Sequence, residues 1–375
     1  MARIMWACWD GGGNLPPSLG IAAELRRRGH DVAFHGRPDM VDRATAGGVD
    51  AQALASAYDD VERFSFLPMP TVFGFTSSPG VGRELVATAS REKPDVLVVD
   101  AMFAAALEVA PQIDAPSVVM VHTFANRLRE VWVRGFTMQS EARTRAGYDP
   151  LPGIDVLWGG RDLVHVNALA TLDGPVPDGG VAVHHGAPVL SAESRATPVD
   201  LPWHADDPVP LVLLSFSTVP EQRDTEALQT ALDALAPLDV HVVATTGQVV
   251  GVDELTVPPN AHVVPFADHE QLLRRASLVV GHGGHGTTMR TLRAGVPMVT
   301  MPATGADQAG MAALVTAVGV GIGVDRGSDA LAIRAAAADV LGDRAFRARA
   351  GEVAELFVGL DGAALGADAV ESVLA

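Results

Sequence analysis

The chain has 375 residues, of which 48% are hydrophobic and 19% are charged, and its formal net charge is −18. This length suits two domains, and the apolar content excludes an intrinsically disordered chain. The acidic balance disfavours nucleic acid and anionic membranes as partners, because either would require a basic face on the protein.

The cysteine content and the hydropathy pattern predict a cytoplasmic protein. Cys8 is the single cysteine, so no intramolecular disulfide can form, and it falls in a predicted buried strand. No apolar run is long enough to span a bilayer, and the first residues lack the apolar core of a signal peptide. We therefore expect no membrane partner.

The N-terminal half alternates apolar strands with helices. Residues 3–9 predict a strand that ends in a glycine-rich turn, residues 17–28 a helix, and residues 31–34 a second strand. Further strands are predicted at residues 96–99, 117–121, 164–166 and 181–183, with helices at residues 103–109 and 126–145. This order is typical of a parallel sheet with helices on both faces.

Residues 56–82 interrupt this alternation. They carry Phe66 and Phe75 among several prolines and show no sustained period, which is typical of a functional loop or lid. Two interpretations remain open: the rings line a pocket for a flat apolar molecule, or they close the core.

A proline-rich stretch separates the two halves and predicts a linker. The predicted domains are residues 1–196 and 210–360, with the linker at residues 197–209 and a last helix at residues 361–375. The second half contains predicted strands at residues 211–214, 240–244, 262–264, 278–280, 296–301 and 319–324, and predicted helices at residues 221–235, 286–294, 330–341, 345–357 and 363–374.

The strongest functional signal lies between Ala276 and Gln308, where a buried strand is followed by a glycine turn, a helix and another strand. In such a unit the N–H groups of the turn and of the helix start converge at the positive end of the helix dipole, which makes an anion site. His282 and Thr287 add side-chain donors, and this donor set suits a diphosphate. The alternative is that His282 only caps the helix and that the glycines only permit close packing.

The glycines also satisfy G-x-G-x-x-G literally, at Gly281, Gly283 and Gly286. We do not predict a dinucleotide site from this match. Such a motif normally opens the first unit of its domain, whereas two predicted strands precede it here. No acidic residue ends the following strand.

These residues also carry a resemblance to a known family. The stretch HGGHGTTMRTLRAGVPMVTMPATGADQ resembles the nucleotide-sugar signature of family 1 glycosyltransferases, in particular the actinobacterial enzymes that glycosylate antibiotics and other natural products. The resemblance extends to RRRGHDV at residues 26–32, LPW at residues 201–203 and SFST at residues 215–218. It implies an α/β protein of the GT-B architecture, with two Rossmann-like, doubly wound parallel-sheet domains facing a cleft, and a last helix that crosses back to the N-terminal domain.

The resemblance also implies donor-binding residues for a nucleoside diphosphate sugar. The glycine turn with Ser217 and Thr218 would hold the diphosphate, Val264 and Phe266 the base, and Asp307 and Gln308 the sugar hydroxyls. The full set is Ser217, Thr218, Val264, Phe266, His282, Gly283, Gly284, Gly286, Thr287, Asp307 and Gln308. No metal and no cofactor are expected, because the chain lacks a D-x-D motif and the helix start supplies positive potential.

Arg290 departs from the family pattern. Plant members carry a glutamate at this position, which accepts hydrogen bonds from the ribose hydroxyls, and an arginine cannot accept them. The loss matters less for a ribose without a 2′-hydroxyl, so the sequence favours a dTDP donor over a UDP donor.

Asn14 is a second departure, because the family usually places a catalytic histidine at this position. An asparagine cannot take a proton at neutral pH. Asp100 is then the first candidate for the base, since it matches the family aspartate that orients the histidine. His122, which ends the next predicted strand, is the second candidate, and Asp10 is the third.

The expected reaction is a single displacement at the anomeric carbon with inversion, on an apolar or aromatic natural product. Two alternatives remain: a nucleotide-sugar epimerase or hydrolase on a similar scaffold, and a catalytically weak homologue that binds a ligand or activates a partner. The oligomeric state is left open, a homodimer included. The expected acceptor contacts, all near predicted cleft edges, are Trp9, Phe66, Phe75, Phe124 and Trp132.

Overall fold

The structure is a computed structural model. It describes residues 1–67, 69–174, 183–190, 199–204, 206–217, 223–247, 249–303, 307–325 and 327–374. The chain divides into two compact units, Met1–Ser191 with Leu360–Ala375, and Ala192–Gly359. Part of the predicted strand at residues 181–183 and part of the predicted linker lie outside the described residues.

The first unit is built on a seven-stranded parallel sheet. Its strands are β1 (Arg3–Ala7), β2 (Asp31–Gly36), β3 (Asp50–Ala53), β4 (Val96–Asp100), β5 (Ser117–Val121), β6 (Leu163–Val166) and β7 (Val183–His185). They lie in the order β3-β2-β1-β4-β5-β6-β7. The order reverses between β1 and β4, and ligands of open α/β sheets bind at the carboxyl ends of the strands at such a reversal.

Helices cover this sheet and include several that the sequence did not predict. They are α1 (Leu15–Arg27), α2 (Pro38–Ala46), α3 (Pro70–Thr76), α4 (Pro79–Glu92), α5 (Ala104–Val109), α6 (Arg129–Arg145), α7 (Ile154–Gly159) and α8 (Ala170–Asp173). The prediction of a structureless loop at residues 56–82 is wrong. Two 3-10 turns, Ala55–Tyr58 and Val61–Phe64, precede α3 and α4 there.

The prolines of that segment begin helices instead of preventing them. Pro70 and Pro79 stand in the first turns of α3 and α4, where the missing N–H has no intrahelical partner to lose. Ser78 caps α4, because its side chain accepts hydrogen bonds from the N–H groups of Gly80 and Val81.

The second unit is built on a six-stranded parallel sheet. Its strands are β8 (Leu211–Ser215), β9 (His241–Thr245), β10 (Ala261–Val264), β11 (Ala276–Gly281), β12 (Met298–Thr300) and β13 (Gly321–Gly323). They lie in the order β10-β9-β8-β11-β12-β13, so this sheet reverses between β8 and β11. The two sheets confirm the predicted fold class of doubly wound parallel-sheet domains.

The helices of the second unit flank its sheet. They are α9 (Thr225–Leu235), α10 (His269–Leu273), α11 (His285–Arg293), α12 (Gln308–Ala317), α13 (Ala330–Gly342) and α14 (Arg344–Ala354). Buried apolar residues of α9 and α13 form one core with those of β8 and β11, and all five residues of β8 are buried. No helix among the described residues is long and apolar enough to cross a membrane.

The last helix, α15 (Gly362–Glu371), returns to the first unit and packs on α1. Nη1 of Arg28 lies 2.6 Å from the carboxylates of both Asp368 and Glu371. A Cβ atom built on Gly366 would lie 2.5 Å from the side chain of Ile21, so the two helices approach closely at a glycine.

Candidate active site

The glycine turn after β11 lies at the reversal point of the second sheet. A Cβ atom built on Gly281 would lie 2.5 Å from the carbonyl oxygen of Ser215, so only glycine allows β11 and β8 to end this close together. Gly283 has a φ of +82°, a left-handed conformation that disfavours other residues. Gly284 then precedes the first turn of α11. The turn therefore places the start of α11 directly at the carboxyl ends of the two central strands.

The imidazole of His282 is folded over this turn and is only 7% exposed. Its Nδ1 atom lies 3.5 Å from the carbonyl oxygen of Ser215, and its ring packs with Phe216 at a centroid distance of 6.0 Å. A Cβ atom built on Gly284 would lie 2.6 Å from Nε2, so this nitrogen points at the backbone of the turn. Burial lowers the pKa of His282, because it disfavours the charged ring.

The start of α12 borders the same turn. A Cβ atom built on Gly283 would lie 3.3 Å from the carbonyl oxygen of Gln308. The side chain of Gln308 is buried, and its Oε1 accepts a hydrogen bond from the N–H of Ala303 at 2.7 Å. Asp307 is half-buried, and its negative charge raises the pKa of His282 against the effect of burial. Of the two predicted sugar contacts, Asp307 is the accessible one, and Gln308 holds the segment after β12.

The first turn of α11 carries Gly286 and Thr287, both partly exposed. The guanidinium of Arg290 folds back toward this turn, since its Nη1 lies 3.4 Å from a Cβ atom built on Gly286. A full positive charge therefore adds to the dipole at the helix start. The sequence singled out Arg290 as a departure, but its position beside the turn follows only from the structure.

The remaining predicted donor contacts lie farther along the same edge. Ser217, which follows β8, is buried, and Thr218 lies outside the described residues. The carbonyl of Val264 accepts a hydrogen bond from the N–H of Thr246 at 3.1 Å, so it is already used within the sheet. The ring of Phe266 is partly exposed just beyond β10, which is an edge strand.

The reversal point of the first sheet contains a hydrogen-bonded group around Asp100. Oδ2 accepts from Nδ2 of Asn14 at 2.9 Å, while Oδ1 accepts from Nε1 of Trp9 and from the N–H of Met102, both at 2.9 Å. Asp100 and Asn14 are each only 1% exposed. Since an acceptor cannot reach a carboxylate enclosed in this way, Asp100 fits a positioning role better than the predicted role of base.

Asn14 is equally enclosed. Its Nδ2 also donates to the carbonyl of Trp9 at 2.8 Å, and its Oδ1 accepts from the N–H of Gly11 at 2.8 Å. The asparagine therefore holds the turn after β1 and joins it to the end of β4. Asn14 stands at the position where the family usually places the catalytic histidine, but its side-chain hydrogen bonds are made within the fold.

Asp10 is paired with a cation. Both of its carboxylate oxygens lie 2.6 Å from Nη1 of Arg43, and Oδ1 also accepts from the N–H of Gly12 at 2.8 Å. The guanidinium of Arg43 occupies both carboxylate oxygens, so Asp10 is the least available of the predicted bases for contact with an acceptor.

His122, the second candidate base, is less enclosed than Asp100. It follows β5, one strand beyond Asp100, and its ring is partly exposed. The Nδ1 atom is buried and has no hydrogen-bond partner among the described residues. The ring meets Trp132 edge-on, with centroids 5.7 Å apart. Of the three candidates, His122 is the one whose ring is partly exposed and makes no hydrogen bond or ion pair among the described residues, although its Nδ1 atom is itself buried.

The predicted acceptor contacts divide into exposed and interior rings. Trp9 and Phe66 are partly exposed. Phe75 and Phe124 are 0% exposed, and Phe75 packs on Phe103 at 4.7 Å. Trp132 is also buried, and its Nε1 donates to the carbonyl of Phe124 at 2.7 Å. The structure therefore places Phe75, Phe124 and Trp132 in the core, where a ring cannot touch an acceptor without repacking.

Asp173, which no sequence motif singles out, anchors the segment after His122. Its buried carboxylate accepts hydrogen bonds from the N–H groups of residues 125–127 at 2.9 to 3.1 Å. Nε2 of His185 lies 2.9 Å from the same carboxylate. These partners are 12 to 48 residues away in the chain, so no local pattern links them. No group of metal-binding side chains occurs among the residues that the structure describes.

Known proteins with similar sequences and folds are glycosyltransferases. Residues 229–359 match the family described as "Erythromycin biosynthesis protein CIII-like, C-terminal domain". The uncharacterized UDP-glucosyltransferase YojK of Bacillus subtilis is 23% identical over 99% of this chain and 97% of its own length. 4'-Demethylrebeccamycin synthase of Lentzea aerocolonigenes is 25% identical over 100% of both chains. The crystal structure of CalG4, the calicheamicin glycosyltransferase, gives a TM-score of 0.79 at 22% identity, covering 100% of this chain and 98% of CalG4.

The likeness to CalG4 confirms the predicted GT-B architecture, and the relatives with similar sequences confirm the predicted class of enzyme, a glycosyltransferase. The chain is related to the glycosyltransferases of actinobacterial antibiotic pathways. The resemblance seen in the sequence is therefore confirmed as well.

Proposed function

We propose that this protein transfers a sugar from a nucleoside diphosphate donor to an apolar natural product. The observation that carries the proposal is the placement of His282 and the glycine turn at the reversal point of the second sheet. There the start of α11, the buried imidazole and the guanidinium of Arg290 provide positive potential and hydrogen-bond donors at one place. This donor set fits the diphosphate of an activated sugar.

The donor nucleotide is dTDP in preference to UDP. Arg290 lies in the last turn of α11 and folds its guanidinium back toward the start of that helix, and a guanidinium cannot accept hydrogen bonds from ribose hydroxyls. Its charge instead favours the phosphates, which both nucleotides share, and so the preference rests on the missing 2′-hydroxyl of dTDP. The relative from Bacillus subtilis is named as a UDP-glucosyltransferase, which makes UDP the natural comparison donor.

The acceptor is an apolar or aromatic natural product bound by the first unit. Trp9 and Phe66 offer partly exposed rings, and Trp9 is fixed by its hydrogen bond to Asp100. The names of the rebeccamycin and calicheamicin enzymes support an acceptor of this class.

The transfer is a single displacement with inversion at the anomeric carbon. The acceptor hydroxyl or amine attacks that carbon while His122 takes its proton, which contributes on the order of 10² to 10⁴ in rate. The bond from the anomeric carbon to the diphosphate oxygen breaks, and the oxygen leaves with the electron pair. The turn and His282 meet the developing charge, and each such donor contributes about 2.7–4 kcal/mol to lowering the barrier. The positive potential comes from the protein, so the mechanism requires no metal.

A second candidate function is a homologue that binds the donor or activates a partner without catalysis. The observation that favours it is the enclosed pair of Asn14 and Asp100, which leaves no base at the predicted position. In that case donor nucleotides bind, but neither the wild type nor a His122 variant transfers the sugar.

A thermal-shift comparison of dTDP, UDP, ADP and NAD tests the proposed function. A ligand at 100 times its Kd adds about 2.7 kcal/mol to the free energy of unfolding. We expect the largest shift with dTDP and a loss of that shift in His282→Ala. His204→Ala, an exposed histidine of the same unit, should keep the wild-type response. A shift with NAD and none with dTDP or UDP would reverse the assignment.

A further inference from the structure

The orientation of His282 limits how many hydrogen bonds it can donate. A carbonyl oxygen only accepts, so the contact of Nδ1 with Ser215 at 3.5 Å requires the proton on Nδ1. A neutral imidazole has a single N–H. Its Nε2, which lies 2.6 Å from a Cβ atom built on Gly284, then presents a lone pair to the turn.

A lone pair on Nε2 would repel the diphosphate that we propose binds at this turn. Phosphate oxygens are acceptors, and two acceptors facing one another repel. A protonated Nε2 would instead make a charge-assisted hydrogen bond of about 2.7–2.9 Å to a phosphate oxygen. The free protein and the donor complex thus favour opposite protonation states of the same ring.

Without a bound ligand, the surroundings of His282 do not favour its protonated form. From β8, Ser215 and Phe216 contribute no charge, while the start of α12 contributes the carboxylate of Asp307. The first turn of α11 carries His285, and the guanidinium of Arg290 folds back toward Gly286 in the same turn. Burial has the largest effect on the ring and lowers the pKa of His282, while the contact with Ser215 and the carboxylate of Asp307 oppose this. A bound diphosphate adds two negative charges beside the ring and reverses the balance.

We propose that His282 is neutral in the free protein and binds the donor diphosphate as an imidazolium, so that donor binding takes up one proton from solvent. This inference rests on the proposed function, because it assumes that the diphosphate lies on the turn. The linkage makes donor affinity rise as the pH falls, by up to about tenfold per pH unit above the pKa of the free ring. The competing arrangement moves the proton of the neutral ring from Nδ1 to Nε2, and it takes up no proton.

Calorimetric titration with dTDP-glucose or UDP-glucose, without an acceptor, measures this proton directly. A nucleoside diphosphate sugar is a diphosphate diester, so its phosphates do not titrate near neutral pH and any proton taken up goes to the protein. The titrations are made at about pH 8 in HEPES and in Tris, whose ionisation enthalpies differ. The difference in binding enthalpy between the two buffers gives the number of protons taken up.

We expect uptake approaching one proton in the wild type and none in His282→Gln. The glutamine amide is a permanent neutral donor placed near the position of Nε2. His285→Gln is the matched control in the same turn, and it should keep the uptake. If His282→Gln does not fold, a fall in the wild-type Kd of several-fold per pH unit between about pH 8.5 and 7 supports the same conclusion.

Three results would contradict the inference without contradicting the proposed function. The wild type could bind the donor without taking up a proton, or its donor affinity could be independent of pH. Proton uptake could also be lost in His285→Gln and kept in His282→Gln. A wild-type protein that binds neither nucleotide sugar contradicts the proposed function itself.

Discussion

Asn14 donates a hydrogen bond to Asp100 at 2.9 Å and so joins the turn after β1 to the end of β4. The second sheet has a related contact at its own reversal point, where His282 faces the carbonyl of Ser215. In the first unit the contact is fully enclosed, whereas in the second unit it leaves Nε2 of the histidine directed at the turn. This difference is why we assign Asn14 and Asp100 to positioning and His282 to binding.

The enclosure of Asn14 predicts a stability effect. Asn14→Ala removes the partners of Asp100 Oδ2 and of the N–H of Gly11, and we expect it to lower the free energy of unfolding by about 1–3 kcal/mol. Asn14→Asp has the same size but places a second carboxylate beside Asp100. It should destabilise more at neutral pH and recover as the pH falls. Urea denaturation of both variants measures this, and equal, pH-independent stability of the two variants would show that the contact with Asp100 is unimportant.

His122 is predicted to determine the rate of transfer. His122→Gln should lower kcat by about 10² to 10⁴ and leave dTDP binding unchanged, because the proposed donor site lies in the other unit. Steady-state kinetics and dTDP titration of the variant measure both. If Asp100→Asn lowers kcat by this amount while His122→Gln leaves it unchanged, Asp100 is the base and His122 is not.

Gly284 is predicted to be essential for donor binding because of its contact with His282. In Gly284→Ala the new Cβ would lie 2.6 Å from Nε2 and displace the ring, with an expected loss of about 10- to 100-fold in dTDP affinity. Gly351→Ala is the control, since a Cβ at that position of α14 has no neighbour within 4 Å. The control should bind dTDP normally and gain about 0.5–1 kcal/mol of stability. Normal dTDP affinity in Gly284→Ala would separate the imidazole from the donor site.

Asp173 is predicted to stabilise the segment that follows His122. Asp173→Asn places an amide donor against the N–H groups of residues 125–127, and we expect a loss of about 2–4 kcal/mol. Asp155→Asn removes an exposed ion pair with Arg129 and should cost less than about 1 kcal/mol. Chemical denaturation of the two variants gives the comparison, and equal losses would mean that the buried carboxylate contributes no more than the exposed one.

The buried ring of His165 makes the free energy of unfolding depend on pH. Nε2 of His165 lies 3.1 Å from Oδ1 of Asn167 and Nδ1 lies 3.0 Å from Nδ1 of His184, so the neutral ring donates once and accepts once. Burial, with a smaller contribution from His184, lowers the pKa of His165 to about 3. Below the unfolded value of about 6.5 the unfolded chain binds a proton that the folded chain does not.

The stability contributed by His165 is therefore complete above about pH 6.5 and is lost as the pH falls toward 3, by up to about 1.4 kcal/mol per pH unit. Measured between about pH 7 and 4, His165→Gln should show a shallower decline than the wild type. Parallel declines would assign the acid sensitivity to other groups.

Most of the strands were predictable from the sequence because buried parallel strands are continuous apolar runs. The strand predicted at residues 117–121 has the same first and last residues as β5. The edge strand β3 was not predicted, because its residues Asp50–Ala53 are largely exposed and include polar side chains. The helices within residues 56–82 were not predictable, because proline occurs at a helix start as readily as in a loop. Only tertiary packing decides between the two. For the same reason the sequence could not separate the partly exposed ring of Phe66 from the buried ring of Phe75, whose partner Phe103 directly precedes α5.

The glycine turn between β11 and α11 was predictable as a turn, because glycine suits the left-handed conformation that Gly283 adopts. The enclosure of Asp100 was not predictable, since it depends on groups distant in the chain. Asp100 receives its hydrogen bonds from Trp9 and Asn14, which precede it by 91 and 86 residues.

A crystal structure of the protein with dTDP is the decisive test of the donor site. We predict the diphosphate at the start of α11, within hydrogen-bond distance of the N–H groups of the glycine turn and of Nε2 of His282. A dTDP molecule bound elsewhere, with this turn unoccupied, would contradict the proposed role of His282 and the turn.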